Sequence, residues 1–412
     1  MESAISSRNK RQKLELKRNY PIFRYLGGNL ISFCGDQIYL VALPLIVLAI
    51  TGSPLSMGIF AALERLPNIL IPLTGPLADR LNRKAVLLVC DFCRGLIVAG
   101  IGILFTLEQL EMWHLYASAV ILGILTQLYS TTQFASIPTL VQNKDLHTIN
   151  SFQSIIFNTG VLVGPTLGGL IISLFHPGYA LIINSFSFFL AFCAVATITI
   201  PYEKQLKAKD KILISFLSDL KVGFEFVFKT KILNYTNIVL MISTFGTTLF
   251  LTVLIFHLKS TVQLGEIKIG ILLSIGGIGA IVGSLLTNIF KKYVSYLKIV
   301  FFSLLMGGLS IILFGATTSY LLLIIANAIG TMSVALINPC IRTIRQTNTP
   351  EHLLGRVQAT SRFITWTLLP ASALLAGGLS SLVGTSSVII IGGVICSLSA
   401  FILLCLIKFS HN

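Results

Sequence analysis

Charge is what this chain has least of. Only 11% of its 412 residues are Asp, Glu, Lys or Arg, and just 15 are acids, whereas a soluble domain carries about 25% charged residues. A water-facing globular surface is excluded on that ground. Also missing are a Gly-x-x-x-x-Gly-Lys phosphate loop, histidines or cysteines at metal-ligand spacing, and a nucleophile, base and orienting group together in any polar stretch. ATP-driven chemistry within the chain, a bound metal, a cofactor and an enzyme are therefore not expected. No apolar run begins before about Tyr20, and ESAISSRNKRQKLELKRNY has no small-residue cleavage site after it, so no cleaved signal peptide is expected.

Seven cysteines, Cys34, Cys90, Cys93, Cys193, Cys340, Cys396 and Cys405, all sit in apolar stretches and read as small buried hydrophobes. Cys90 and Cys93 have the spacing of a redox pair but lie inside one apolar run with no second pair beside them.

What is present is hydrophobic: 54% of residues, with a mean hydropathy of +0.87. Runs long enough to cross the roughly 30 Å hydrocarbon layer as helices lie near 22–50, 55–77, 85–107, 114–138, 149–175 and 179–200. Six more lie near 232–257, 269–290, 299–316, 319–341, 361–383 and 386–407. They are called spans 1 to 12 below. The pattern predicts an all-α membrane protein.

Lys and Arg orient the spans, because cytoplasmic loops collect them. With both termini in the cytoplasm, all 30 basic residues except Lys259, Lys268, Arg65 and Arg94 fall on or toward the cytoplasmic side. The net charge of +15 is thus spread between spans and forms no stripe for nucleic acid. The expected location is a bacterial inner or plasma membrane.

The polar stretch 201–231 divides the chain into a basic tail (1–20), a first six-span unit (21–200), a linker and a second unit (232–408). FLSDLKVGFEFVF within the linker has the pattern of a short amphipathic surface helix, although a plain tether is an equal reading. Shifting the chain by 208 residues aligns Gly75, Arg83 and Lys84 with Gly283, Lys291 and Lys292, Leu146 and Asn150 with Leu354 and Gln358, and Gly169 with Gly377. Duplicated halves with a substrate site between them are typical of secondary transporters.

Gly75-Pro-Leu-Ala-Asp79-Arg80-Leu-Asn82-Arg83-Lys84 resembles the loop signature of the major facilitator superfamily, Gly-x-x-x-Asp-Arg-x-Gly-Arg-Arg/Lys. Asn82 replaces the usual glycine and is compatible with the same left-handed backbone. Gly35-Asp36-Gln37-Ile38-Tyr39, Thr51-Gly52-Ser53-Pro54-Leu55, Leu66-Pro67 and Gly355-Arg356-Val357 resemble its drug, macrolide and siderophore exporter branch. The resemblance implies two pseudo-symmetric six-helix bundles. It also implies that Asp79 sits at the cytoplasmic start of span 11, with the neighbouring arginines on acids or lipid phosphates, as a latch between halves. A positive-inside signal explains the three bases but not the acid.

Inside the membrane, Asp36, Glu64 and Arg65 fall near mid-bilayer, each costing roughly 2.5–3.5 kcal/mol against lipid. They must face one another or a wet cavity, which permits an Asp36–Arg65 pair and leaves Glu64 as the proton carrier; a purely structural ion pair is the alternative. Asp91 and Arg94 stand at i, i+3 near the cytoplasmic end of span 3 and read as a snorkelling pair. The second half has no acid inside its spans.

Gly160, Gly164 and Gly168 recur every fourth residue in span 5, with Pro165 and Gly169. The set resembles the motif Gly-x8-Gly-x3-Gly-Pro-x2-Gly-Gly of proton-coupled antiporters, with Ser151 for the first glycine. Its echo at 370–378 lacks the Gly-Pro pair, and close helix packing alone would also explain the glycines. Gln133 and Asn184 are candidate polar contacts, or bonds to neighbouring helices.

The sequence thus predicts a monomeric proton-coupled exporter of a small amphipathic compound, with protons, substrate and lipid as partners. An uptake symporter of the same fold and a non-transporting sensor or scaffold are the alternatives.

Overall fold

Backbone in hydrocarbon has no water to bond, so each apolar run must close its hydrogen bonds within itself as a helix. A computed structural model describes residues 20–70, 81–142, 145–200, 212–350 and 353–411. In the first half these form α1 (Tyr20–Thr51), α2 (Pro54–Arg65), α3 (Arg83–Thr106), α4 (Met112–Leu140), α5 (Leu146–Leu174) and α6 (Pro177–Ala196). The linker contributes α7 (Ile212–Lys229). The second half follows with α8 (Lys231–Phe256), α9 (Glu266–Phe290), α10 (Tyr296–Ala316), α11 (Tyr320–Thr347), α12 (Leu354–Trp366), α13 (Leu369–Val383) and α14 (Thr385–His411).

Among the described residues eleven stretches are long and apolar enough to cross a membrane, α12 and α13 together making one. Expected span 2 appears as α2 and a 3₁₀ turn, Leu66–Leu70. Gly75, Asp79 and Arg80, three of the five loop-motif residues, lie outside the described residues.

Local chemistry sets the helix ends. Gly52, with φ of +58°, makes the left-handed turn between α1 and α2, and Pro54 opens α2 with no amide hydrogen to waste. Asn82 is not left-handed, contrary to expectation: at φ −63° it caps α3, its side chain accepting from the Ala85 amide at 3.3 Å. A helix with orphan amides follows this position directly, and capping them outweighs the glycine-like turn. Arg83 donates to the Ala135 carbonyl of α4 at 2.9 Å, and Lys84 donates to the Ala196 carbonyl at the last turn of α6 at 2.8 Å. These two bases thus serve carbonyls of their own half, Lys84 where the helix dipole favours a cation.

Packing within each half is helix on helix: α1 on α5 and α6, α3 on α4 and α6, then α8 and α10 on α14, and α11 on α9 and α10. Two seams join the halves, α2 against α13 and α5 against α9. A Cβ on Gly58 would lie 2.7 Å from the Gly377 Cα, and one on Gly270 would lie 3.1 Å from the Thr166 Cα, so backbone meets backbone at both. Gly169 packs against the backbone of Glu266. The 208-residue shift sends Gly58 to Glu266 and Gly169 to Gly377, so it maps one seam's contact onto the other's. The echo in the sequence is an echo of an interface.

The buried apolar residues show how the halves meet. One core cluster takes residues from both, near the end of α1 and start of α2 (Ile46, Met57) and the end of α8 and start of α9 (Val253, Ile269). At the opposite end, where α1 begins and α14 ends, each half has its own core: Leu87, Tyr129 and Val195 in the first, Leu233, Ile341 and Leu403 in the second. Among the described residues the halves share a core at one end and keep separate cores at the other. The linker pattern is a helix docked on protein: Gly223 of α7 approaches the Arg356 backbone of α12, and the rings of Phe224 and Phe363 meet edge to face at 5.9 Å.

Candidate functional site

Intramembrane charge locates the site, because a charged side chain in hydrocarbon needs a partner or water. A cavity of about 290 Å³ is walled by first-half residues: Asp36 and Tyr39 of α1, Glu64 and Arg65 of α2, Arg94 of α3, Gln127 of α4, and Asn184 and Phe188 of α6. Two glycines bring these walls together. At Gly35 a Cβ would strike Ser187 and Asn184, so α1 and α6 touch just beside Asp36. At Gly123 a Cβ would fall 2.9 Å from the Pro67 side chain, letting α4 press on the end of α2 that carries Glu64.

Asp36, Glu64, Arg65 and Asn184 therefore share one chamber. Gln133 does not line it; Gln127, earlier on α4, does. The expected Asp36–Arg65 ion pair is not formed. Arg65 instead donates from Nη1 to the hydroxyl of Thr252 on α8, 3.0 Å away in the other half, while Asp36 has Arg94 and Glu64 as its electrostatic neighbours.

Asp91 and Arg94 do not snorkel. They are 0% and 3% exposed and paired at 2.6 Å, with the Arg94 guanidinium held between the rings of Tyr129 and Phe188, 4.2 and 4.5 Å from their centroids. A flat, weakly hydrated guanidinium stacks on aromatic faces in this way. The sequence signal that could have placed it was Tyr129 and Phe188 at similar depth on α4 and α6. Three polar atoms at the chamber, Tyr39 Oη, Gln127 Nε2 and Asn184 Nδ2, are buried with no hydrogen-bond partner. Such atoms are costly unless something else bonds them. Two carboxylates, two guanidiniums and unmatched donors beside apolar walls can bind a polar group and can hold a proton.

The α5 glycines are all in helix contacts. Gly160 packs on Phe33, Gly164 on Gln37 and Gly168 on Ile38 of α1, while Gly169 and Pro165 face α9. Thr166 donates to Ser274 of α9 at 2.7 Å. Among the described residues no three His, Cys, Asp or Glu side chains gather as a metal site.

Comparison with known proteins agrees with this architecture. The Major Facilitator Superfamily profile matches residues 25–373. The multidrug efflux pump Tap of Mycolicibacterium fortuitum is 24% identical over 373 residues, covering 88% of this chain and 90% of that protein. The enterobactin exporter EntS of Escherichia coli O1:K1 / APEC is 24% identical over 374 residues, covering 90% and 88%. Among solved structures, a point mutant of the nucleoside transporter NupG superposes with a TM-score of 0.75 at 16% identity, covering 94% of this chain and 99% of that one.

Proposed function

Because the chain belongs to the Major Facilitator Superfamily, and is therefore a multi-pass bacterial membrane transporter and not an enzyme, we propose that it exports a small amphipathic compound in exchange for protons. The carrying observation is the chamber in which Asp36 and Glu64 sit beside unmatched polar atoms, in a molecule whose described halves share a core at one end and keep separate cores at the other. Residues 21–200 and 232–408 move as two bodies that open the chamber to each side in turn, with both termini in the cytoplasm. The end with separate cores, which carries the termini, then faces the cytoplasm. Asp36 and Glu64 take up the coupling protons, and the standing positive charge of Arg94 is compensated by the Asp36 carboxylate when the proton leaves and uncovered when it binds.

Asp79 is proposed to latch the cytoplasmic end when it closes, since an acid at a helix N-terminus is favoured by roughly 0.3–1 kcal/mol, enough to bias a gate without locking it. The direction of transport leans on the efflux relatives. The α5 glycines support it less, because each makes a contact that packing alone would require.

The test is flux in vesicles holding the purified full chain. An imposed proton gradient drives accumulation of an amphipathic dye in inside-out vesicles, and Asp36→Asn and Glu64→Gln each cut the driven rate while leaving expression intact. Normal driven transport in both variants would remove these residues from the mechanism; movement down the proton gradient with the substrate would make the chain a symporter.

A further inference from the structure

The second half carries half-buried positive charge that has no counterion among the described residues. Arg345, near the end of α11, donates from Nη2 to Asn237 Oδ1 of α8 at 3.0 Å and from Nη1 to Gln358 Oε1 of α12 at 3.3 Å. Both acceptors are neutral amides, and its Nε is buried with no acceptor at all. Asn237 is itself held by a hydrogen bond to Ser361 of α12, so the guanidinium sits in a fixed frame.

Arg362 lies one turn beyond Gln358 on the same face of α12, about 12 Å into the helix from Leu354. Its guanidinium lies 4.2 Å from the centroid of the Trp366 ring. Among the described residues no hydrogen bond or ion pair takes any of its donors. The first-half arginines differ on this point: Arg94 has Asp91, and Arg65 has Glu64 next to it and Thr252 across the seam.

α12, which carries Arg362, packs against the Leu66–Leu70 turn of the first half. A guanidinium fixed by stacking, with its N–H edge unoccupied, is shaped to receive a carboxylate, phosphate or similar anion on two parallel hydrogen bonds. Asp36 and Glu64 belong to the first half and Arg345 and Arg362 to the second.

We propose that Arg362, seconded by Arg345, is an anion-binding subsite and that the transported compound is an amphipathic molecule bearing an anionic group, held by the second half while the first half manages protons. This names the substrate class of the transporter proposed above and rests on that reading. The shared chemistry also fits the headgroup of an anionic lipid, and the test separates the two.

Binding is read with no gradient and no flux. The chain has two tryptophans, so Trp113→Phe leaves Trp366, stacked on Arg362, as the sole tryptophan of the full-length protein, excited selectively at the red edge in nanodiscs of zwitterionic lipid. The probes are para-butylbenzoate, its methyl ester and para-butylbenzylammonium. The benzoate is expected to change Trp366 emission saturably and the other two not to. Arg362→Gln is expected to weaken the benzoate by roughly tenfold or more, with Arg362→Lys in between.

Equal response to the ammonium, or undiminished benzoate binding in both Arg362 variants, overturns the subsite. If Arg362→Gln does not fold, Arg362→Lys alone decides, since it keeps the charge and loses the fork. If anionic lipid in the nanodisc produces the same emission change alone and blocks the benzoate, the site belongs to lipid and the substrate assignment falls. Proton-driven export of cations alongside benzoate-negative binding would leave the exporter reading standing without this one. Benzoate binding by a chain that moves nothing would leave the anion site standing and overturn both the exporter reading and the substrate assignment.

Discussion

Arg65 on α2 and Thr252 on α8 form a hydrogen bond of 3.0 Å that joins the charged chamber to the opposite half. A hydrogen bond from a charged donor contributes about 1.5–3 kcal/mol, a large share of what biases a two-state opening. Thr252→Val removes the acceptor and keeps the shape. The expected result is a roughly tenfold or greater population shift toward separation of the joined end, read as longer distances between paired labels at the start of α2 and the end of α8. Unchanged distances in the variant would make the bond incidental.

The Asp91–Arg94 pair makes a stability prediction. Asp91→Asn leaves a guanidinium buried between two rings, with Asp36 as its nearest remaining acid. Breaking a buried pair from one side costs about 3–5 kcal/mol, so thermal unfolding in detergent should move sharply downward. Asp91→Asn combined with Arg94→Met removes both charges and is expected to recover most of the loss. If the double variant is as unstable as the single one, the pair is held by something other than charge.

Glycines that look alike in the sequence should respond oppositely. A Cβ at Gly270 meets the backbone of Pro165 and Thr166 across the α5–α9 seam, whereas one at Gly100 on α3 meets nothing within 4 Å. Gly270→Val should destabilise by about 1–3 kcal/mol through overpacking and slow transport. Gly100→Ala should be neutral or stabilising by up to about 1 kcal/mol. Comparable melting temperatures for the two would refute the backbone-contact account of the seam.

How much of this was readable beforehand follows from which signals survive folding. The order of the apolar helices was legible, because apolar length is a property of the chain alone, whereas the break between α12 and α13 was not. Asp36 and Glu64 stood out for the same reason, being costly wherever they face. Arg65 was found but mispaired: sequence shows that spans 1 and 2 are neighbours, while Thr252 lies 187 residues away and only the α2–α8 approach brings it near. Arg94 was read as a surface group because its distance along α3 is visible and the rings of Tyr129 and Phe188 that enclose it are not. Arg345 and Arg362 were absorbed into the positive-inside pattern, where any basic residue near a loop counts equally. Their lack of acids is a fact about space.

The meeting of Gly58 with Gly377 and of Gly270 with Thr166 has a mechanical consequence. Interlocked side chains would have to climb out of their sockets before one body could roll on the other, and each escape would add to the activation barrier. At these two points bare main chain has no such teeth. In the proposed cycle, the two bodies have few side chains to disengage at these points.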